Sequence, residues 1–195
     1  MRQLVLTLIV SLCAFSQEAD LAVVQKISGT VGFYTGDGKL VSTVKVGEHP
    51  HEAVLSPDKR LLYVSDNGIL WMTYKGEGGN TISIVDVDKF KVTGAIQTGK
   101  WPCRLAVTPD GKSLVYALQN TEAVGFADLA SKKEVAQVPL GGKLLSLTLS
   151  SDGRYAYSSA QEQDKIFVIS LADRKVARVI EPPKGSGPDP VIDLR

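Results

Sequence analysis

Short runs in which apolar and polar residues alternate fill most of this chain, and turn-forming residues separate one run from the next. Four of these runs lie at residues 53–55, 61–65, 81–86 and 91–97. A period of two is typical of β-strands, and Pro57 with Asp58 supplies a tight turn between the first two runs. No stretch keeps a helical period, so the pattern predicts an all-β fold of short antiparallel strands.

The four-run unit is repeated along the chain. The glycine-led segment that opens it at Gly47 returns 52 positions later at Gly99 and, with fewer matching residues, 42 positions later at Gly141. We interpret this as a period of roughly 40 to 45 residues. A last, incomplete copy begins at Gly185. Repeats of this length made of short strands are typical of β-propeller blades, each of them a four-stranded antiparallel sheet. We therefore predict a β-propeller with about four blades in this chain.

The two ends of the chain carry complementary parts of one blade. Residues 21–46 supply second, third and fourth strands without a first, and residues 190–194 supply a first strand alone. Pairing of the C-terminal strand with the strand at residues 21–24 would close a ring and hide both open strand edges. This predicts a closed four-bladed monomer. Two alternatives stay open: a homodimer that shares one eight-bladed ring, and a fragment of a longer propeller.

Several short motifs in the repeats match a known pattern. Residues 62–67 read Leu-Tyr-Val-Ser-Asp-Asn, residues 80–86 read Asn-Thr-Ile-Ser-Ile-Val-Asp, and aspartate follows proline or serine in the turns at 56–58, 108–112 and 151–154. With these motifs the chain, from residue 21 to residue 194, resembles the bacterial β-propeller family named for its YVTN repeat. Members of that family usually have seven blades. The wider group of propellers includes lactonases and subunits beside quinone or haem chemistry, so the resemblance implies a fold and no single activity.

The first residues of the chain have the pattern of a secretory signal peptide. A basic residue at position 2 is followed by an apolar run too short to cross a membrane, and then by Ala14 and Ser16 before a cleavage point. We therefore divide the chain into a signal peptide, residues 1–16, and a β-propeller repeat domain, residues 17–195. This predicts a periplasmic or extracellular protein without a membrane span after cleavage. A retained N-terminal anchor is the alternative.

Charge and cysteine content narrow the classes of partner. The chain has 22 basic and 21 acidic side chains, and removal of residues 1–16 takes away one basic residue and leaves the two signs equal. A neutral chain lacks the clustered positive charge that drives phosphate binding, so we expect no nucleic-acid partner. Cleavage also removes Cys13, which leaves Cys103 without a partner for an internal disulfide.

The residues just before each innermost strand of a propeller lie at the mouth of its central channel. Alignment of the repeats on their turn proline superposes His51, Cys103 and Asp189 at this position. The same alignment puts His49 and Trp101 beside them. Imidazole, thiolate and carboxylate together suit a zinc or copper ion, and the alternative is a rim of hydrated polar residues. We predict a ligand-binding site at these five residues and leave the presence of a metal open.

A second candidate surface is an insertion at residues 68–79, where a glycine-rich segment carries Trp71 and Tyr74. Loops on a rigid scaffold often bind ligands, and tryptophan and tyrosine give a large contact area at small entropic cost. The alternative is a hairpin extension whose Trp71 packs against the neighbouring blade. We add Trp71 and Tyr74 to the predicted ligand-binding residues.

The sequence has none of the motifs that define a common enzyme class. It contains no Gly-x-Ser-x-Gly elbow and no P-loop, and the glycines near Gly76 do not link a strand to a helix as a dinucleotide site requires. We assign no catalytic residue and no cofactor. The preferred function is an exported, non-catalytic scaffold that binds a protein, glycan or small ligand at the channel mouth. The alternative is a metal-dependent, lactonase-like hydrolase or an accessory subunit of a periplasmic redox enzyme.

We expect the mature protein to begin at Gln17, because the small residues of the cleavage motif end at Ser16. N-terminal sequencing of the protein isolated from its native host should therefore show that residues 1–16 are missing. An intact Met1 in that protein would contradict the signal peptide.

Overall fold

The computed structural model describes residues 18–71, 73 and 76–194, and the predicted signal peptide lies outside them. Within this part the chain forms fifteen strands and one 3₁₀-helix, Gln161–Gln163. The strands are β1 (Leu21–Gln25), β2 (Thr30–Tyr34), β3 (Leu40–Lys45), β4 (Ala53–Leu55), β5 (Leu61–Asp66), β6 (Thr81–Asp86), β7 (Lys91–Gln97), β8 (Pro102–Val107), β9 (Ser113–Leu118), β10 (Ala123–Asp128), β11 (Lys133–Pro139), β12 (Thr148–Leu149), β13 (Tyr155–Ala160), β14 (Lys165–Ser170) and β15 (Lys175–Ile180). None of the described residues belongs to a helix with the length and apolar character that a membrane span requires.

The strands form antiparallel sheets that follow one another along the chain. Blade 1 has three strands in the order β1-β2-β3, and each of the next sheets has four: blade 2 (β4–β7), blade 3 (β8–β11) and blade 4 (β12–β15). The first strand of one blade contacts the first strand of the next, as β4 contacts β8, and the outer strands β7 and β11 meet in the same way. The predicted all-β architecture of antiparallel, propeller-like blades is confirmed by this topology.

The turn between the first and second strands has the same hydrogen bonds in every four-stranded blade. In blade 2 the Asp58 carboxylate accepts a hydrogen bond from the Ser56 hydroxyl at 2.6 Å and another from the Arg60 N–H at 3.1 Å. Asp110 and Asp152 hold the corresponding turns of blades 3 and 4 in the same way. These carboxylates shape turns and return the chain antiparallel to itself, as the sequence predicts.

Apolar side chains pack between neighbouring blades, so the internal blades have both faces covered. The clusters contain Phe33 and Val64 between blades 1 and 2, Ile84 and Tyr116 between blades 2 and 3, and Phe126 and Ile169 between blades 3 and 4. Successive residues of a strand point to opposite faces, and both sets are apolar here because both faces are buried. Removal of this surface from water is the main stabilising contribution to the fold.

Residues 190–194 do not pair with β1, so the ring closure expected for a four-bladed monomer is not observed. Blade 1 keeps three strands. The C-terminal segment is held at its own last blade, where the Thr148 hydroxyl donates to the Val191 carbonyl at 2.7 Å. The Ser151 N–H donates to the Asp193 carboxylate at 2.6 Å. These two contacts fix the segment beside β12, and β1 is paired only with β2.

Ile84 lies in the cluster between blades 2 and 3 and is almost fully buried. We expect Ile84→Ala to lower the free energy of unfolding by about 2 to 4 kcal/mol, because the deleted atoms leave a cavity between two sheets. Val135→Ala, at a valine of β11 that is 44 % exposed, is the matched control and should cost less than about 1 kcal/mol. Urea unfolding measures both values. Equal losses would contradict the packing of blade 2 against blade 3.

Candidate binding site at the inner ends of the blades

The structure corrects the predicted position of Cys103. The Cys103 side chain lies between blades 3 and 4 and not in the channel mouth. At this point the pairing of β8 with β9 is irregular, between Pro102 and Leu105. The thiol is fully buried and donates to the Ala117 carbonyl at 3.6 Å. Burial raises the pKa of Cys103 to about 12, so the thiol is protonated at neutral pH. Cys103 is therefore a core residue, and its thiol is closed off from solvent.

The two histidines lie at the inner end of blade 2, beside Lys26 of blade 1. The Nδ1 atom of His51 is buried and has no hydrogen-bond partner among the described residues. Burial, together with the positive charges of Lys26 and Arg104, lowers the pKa of His51 to about 4, so the ring is neutral at pH 7. The backbone of His49 has a φ of 42°, and its Nδ1 atom lies 3.3 Å from the Lys26 carbonyl oxygen.

Arg104 joins three blades at the same end of the fold. From β8 its Nη1 atom donates to the Glu52 carboxylate of blade 2, and its Nε atom donates to the Leu145 carbonyl of blade 4 at 2.7 Å. The side chains of the Arg104–Glu52 ion pair are 34 % and 31 % exposed, so water still reaches them. Contacts on two sides fix the orientation of the guanidinium.

A cleft of about 340 Å³ opens beside this ion pair. Its wall includes Glu52 and Arg104, the side chains of Ser146 and Thr148 from blade 4, and Asp189 from the C-terminal segment. Asp189 is exposed, so its carboxylate is accessible from solvent. The volume and the mixture of charged and hydroxyl groups suit a small polar ligand. Asp189 is the predicted site residue that the structure places in this cleft.

A larger groove, of about 660 Å³, lies between the turns of blades 2 and 3 near Pro57 and Pro109. A similar groove of about 410 Å³ lies at the equivalent turns of blades 3 and 4. Their carboxylates, such as Asp110, are already engaged in the turn hydrogen bonds. Because the groove recurs from blade to blade, it follows from the shape of stacked sheets. The smaller cleft beside Arg104 is the better candidate site.

Trp101 anchors the insertion loop of blade 2. Its backbone has a φ of 61°, and its indole N–H donates to the Glu77 carbonyl at 3.0 Å. A Cβ atom on Gly78 would lie 2.1 Å from the indole nitrogen, so only glycine fits beneath the ring. Trp101 thus packs on the loop at this end of the fold. Trp71 in the same loop is 64 % exposed, and Tyr74 lies outside the described residues.

The prediction from sequence missed Glu52 and Arg104. A signal for them is present in the sequence, because Glu52, Arg104 and Ser146 superpose when the repeats are aligned. Their position directly follows that of His51 and Cys103. Opposite charges at equivalent positions of adjacent blades favour an ion pair across the junction. In blade 3 the side chain of Cys103 is buried, whereas that of the next residue, Arg104, lines the cleft.

The structure does not bring together the residues whose chemistry would suit a zinc or copper ion. Within residues 18–71, 73 and 76–194, no three His, Cys, Asp or Glu side chains are grouped so that they could hold a metal ion. Of the predicted set, His51 lies at blade 2, Cys103 lies in the core and Asp189 lies in the cleft. The described residues therefore do not fit a metal centre.

Comparison with known proteins identifies the family. Residues 8–133 match the family described as Lactonase, 7-bladed beta-propeller, and since the match covers well over half of the chain, the chain belongs to this family. Among solved structures, a chain of Kuenenia stuttgartiensis hydrazine synthase is similar, with a TM-score of 0.60 and 26 % sequence identity. The match covers 69 % of this chain and 36 % of that chain, so this chain spans about a third of its relative. No curated protein matches the chain.

The lowered pKa of His51 predicts a pH dependence of stability. The unfolded chain takes up a proton on this ring as the pH falls below the ordinary value of 6.5, whereas the folded protein takes it up only near pH 4. The contribution of His51 to the free energy of unfolding is therefore fully present above pH 6.5 and is lost as the pH falls toward 4. His51→Gln should lose less stability over this range, as measured by urea midpoints at both ends. An NMR titration midpoint for His51 near its ordinary value would contradict the burial of the ring.

Proposed function

We propose that this chain is an exported, non-catalytic propeller scaffold that binds a small polar ligand in the cleft beside Arg104. The observation that carries the proposal is the fixed guanidinium of Arg104, which Glu52 and the Leu145 carbonyl hold at the wall of the cleft. Both anchors belong to neighbouring blades. Because the side chain is oriented before a ligand arrives, binding costs little side-chain entropy.

The chemistry of the cleft favours a ligand with several hydroxyl groups. Arg104 offers N–H donors and Asp189 offers carboxylate acceptors within one small volume. The Ser146 hydroxyl, 2.7 Å from that of Ser159, adds an oriented polar wall. A polyanion would be repelled by Glu52 and Asp189, and an apolar molecule would leave these groups without partners. A sugar or a sugar lactone satisfies both kinds of group.

Export and the repeat type belong to the same proposal. The charged and apolar pattern of residues 1–16 supports secretion to the periplasm or beyond the cell. The motif at residues 62–67, which lies on and just after β5, supports repeats of the YVTN type. Trp71 is exposed enough to contact a larger ligand outside the cleft, and Tyr74, close to it in sequence, would extend that surface.

A lactonase activity is the second candidate, and the description of the family favours it. In this case a lactone would occupy the same cleft, with Asp189 positioned to activate a water molecule. Arg104 would stabilise the negative charge that develops on the carbonyl oxygen. A role as an accessory subunit of a redox enzyme is favoured only by the similarity to hydrazine synthase.

Calorimetric titration with glucose, gluconate and glucono-1,5-lactone tests the class of ligand. We expect at least one probe to bind, and Asp189→Asn to weaken its binding by about 10-fold or more, because a charge-assisted hydrogen bond is lost. Asp88→Asn makes the same change at an exposed position between β6 and β7 and should bind as the wild type does. Absence of binding for every probe, or equal effects of the two variants, would contradict the proposed cleft.

A lactone hydrolysis assay distinguishes the scaffold from the enzyme. Acid release from glucono-1,5-lactone is followed with wild type and with Asp189→Asn, each with and without added calcium or zinc. The scaffold proposal predicts the uncatalysed rate in every case. A faster rate with wild type that Asp189→Asn reduces would overturn the non-catalytic assignment in favour of the lactonase.

A further inference from the structure

The face of blade 4 that points away from blade 3 carries apolar residues. The equivalent residues of blades 2 and 3 are buried. Strand registers make three cross-strand pairs equivalent, Ile82 with Ile96, Val124 with Val138 and Ile166 with Ile180. In blades 2 and 3 these residues are buried against the following blade, whereas Ile180 is 40 % exposed and Ile166 is half-buried. We call Ile166 and Ile180, together with Val168, which is already buried within the chain, the trailing face. It has the composition of a face that receives another blade.

Blade 1 presents the complementary face. By register with the next strand, Leu21 and Val23 of β1 correspond to Leu62 and Val64 of β5. Leu62 and Val64 are buried against the preceding blade, whereas Leu21 is 52 % and Val23 is 43 % exposed. We call Leu21 and Val23 the leading face. Exposed apolar residues at such positions indicate an interaction surface.

The trailing face also has a shape that can receive a neighbour. A depression of about 270 Å³ lies on it, lined by Tyr155, Tyr157, Val168, Ala177 and Arg178. Arg178 takes the position of Gly94 and Ala136 in the register of the outer strands. A Cβ atom on Gly94 would lie 3.4 Å from Lys132 Nζ, in the outer turn of the next blade. The corresponding turn of blade 1 carries Asp37, so a following blade 1 would place a carboxylate near Arg178.

The C-terminal segment lies where the first strand of a following blade belongs. Its contacts with Thr148 and Ser151 hold residues 191–193 beside β12, as β8 lies beside β4. Ile192 on this segment is exposed, and blade 1 is the sheet that lacks a first strand. The segment and β1 thus have complementary unpaired edges.

We propose that a second copy of this chain covers both faces: the trailing face of each copy packs on the leading face of the other. In the register of β4 with β5, Val191 would pair with Val23 of the other copy and Ile192 with its Ala22. The junction continues the packing already present at the three junctions within the chain. Since one chain supplies both halves of a junction, two copies form two identical junctions around one axis. The inference does not depend on the ligand proposed for the cleft.

Sedimentation equilibrium of the full chain tests this assembly. We expect twice the chain mass of 20.9 kDa, and we expect Val23→Glu to weaken the dimer by about 100-fold or more, because the junction would bury an unpaired charge. Val135→Glu is the matched control, since Val135 is a valine of equal exposure on an internal blade, and it should leave the dimer intact. A monomer at every concentration, or equal weakening by both variants, would overturn the proposal.

Disulfide trapping tests the register and separates a shared ring from a ring closed by one chain. Directly opposed residues of paired strands have the Cα spacing that a disulfide needs. In a Cys13→Ser background, a mixture of Ala22→Cys chains with Ile192→Cys chains should give a covalent dimer on oxidation, while Ala22→Cys mixed with Val135→Cys should not. The buried Cys103 does not interfere. Absence of a covalent dimer in the first mixture would overturn the proposal. So would an intrachain disulfide in a single chain that carries both Ala22→Cys and Ile192→Cys.

Discussion

Apolar packing between successive blades is the constraint on which the rest of this structure depends. Each sheet is a short, twisted unit whose two faces are both apolar, so no blade is stable with its faces in water. Stacking of one blade on the next satisfies both faces of blades 2 and 3. The stacking also aligns neighbouring blades with each other, because the first strands β4 and β8 are in contact and so are the last strands β7 and β11.

The candidate site is a consequence of this stacking. The blades bring Glu52, Arg104 and the Leu145 carbonyl, which are far apart in sequence, into one set of contacts that spans two junctions. Stacking also buries the side chain of the adjacent Cys103 between blades 3 and 4. The same geometry therefore decides which polar groups reach the cleft and which apolar groups fill the core. The function proposed for the cleft depends on these few side chains, whereas the fold is a property of the repeat.

Local signals were sufficient to predict the strands and their turns, since alternation and the Asp58-type hydrogen bonds are decided by neighbouring residues. The site was predicted only in part. Where the pairing of β8 with β9 is irregular, Cys103 is buried and Arg104 is accessible. A sequence pattern with a period of two does not reveal such an irregularity. Ring closure was predicted from the matching ends of the chain, but it depends on the curvature summed over all blades. No local pattern encodes that sum, and residues 190–194 remain at blade 4.

The central claim is that each blade needs a neighbour on both faces, including blade 1. Hydrogen–deuterium exchange of the amides in β1, Leu21–Gln25, measured over a range of protein concentrations, tests this claim most directly. An open edge strand exchanges quickly at the amides that point away from its single partner, and a paired strand is protected. The account predicts that the protection of β1 rises with protein concentration toward the level of β5 and β9. Rapid exchange in β1 at every concentration, with β5 and β9 protected, would contradict it.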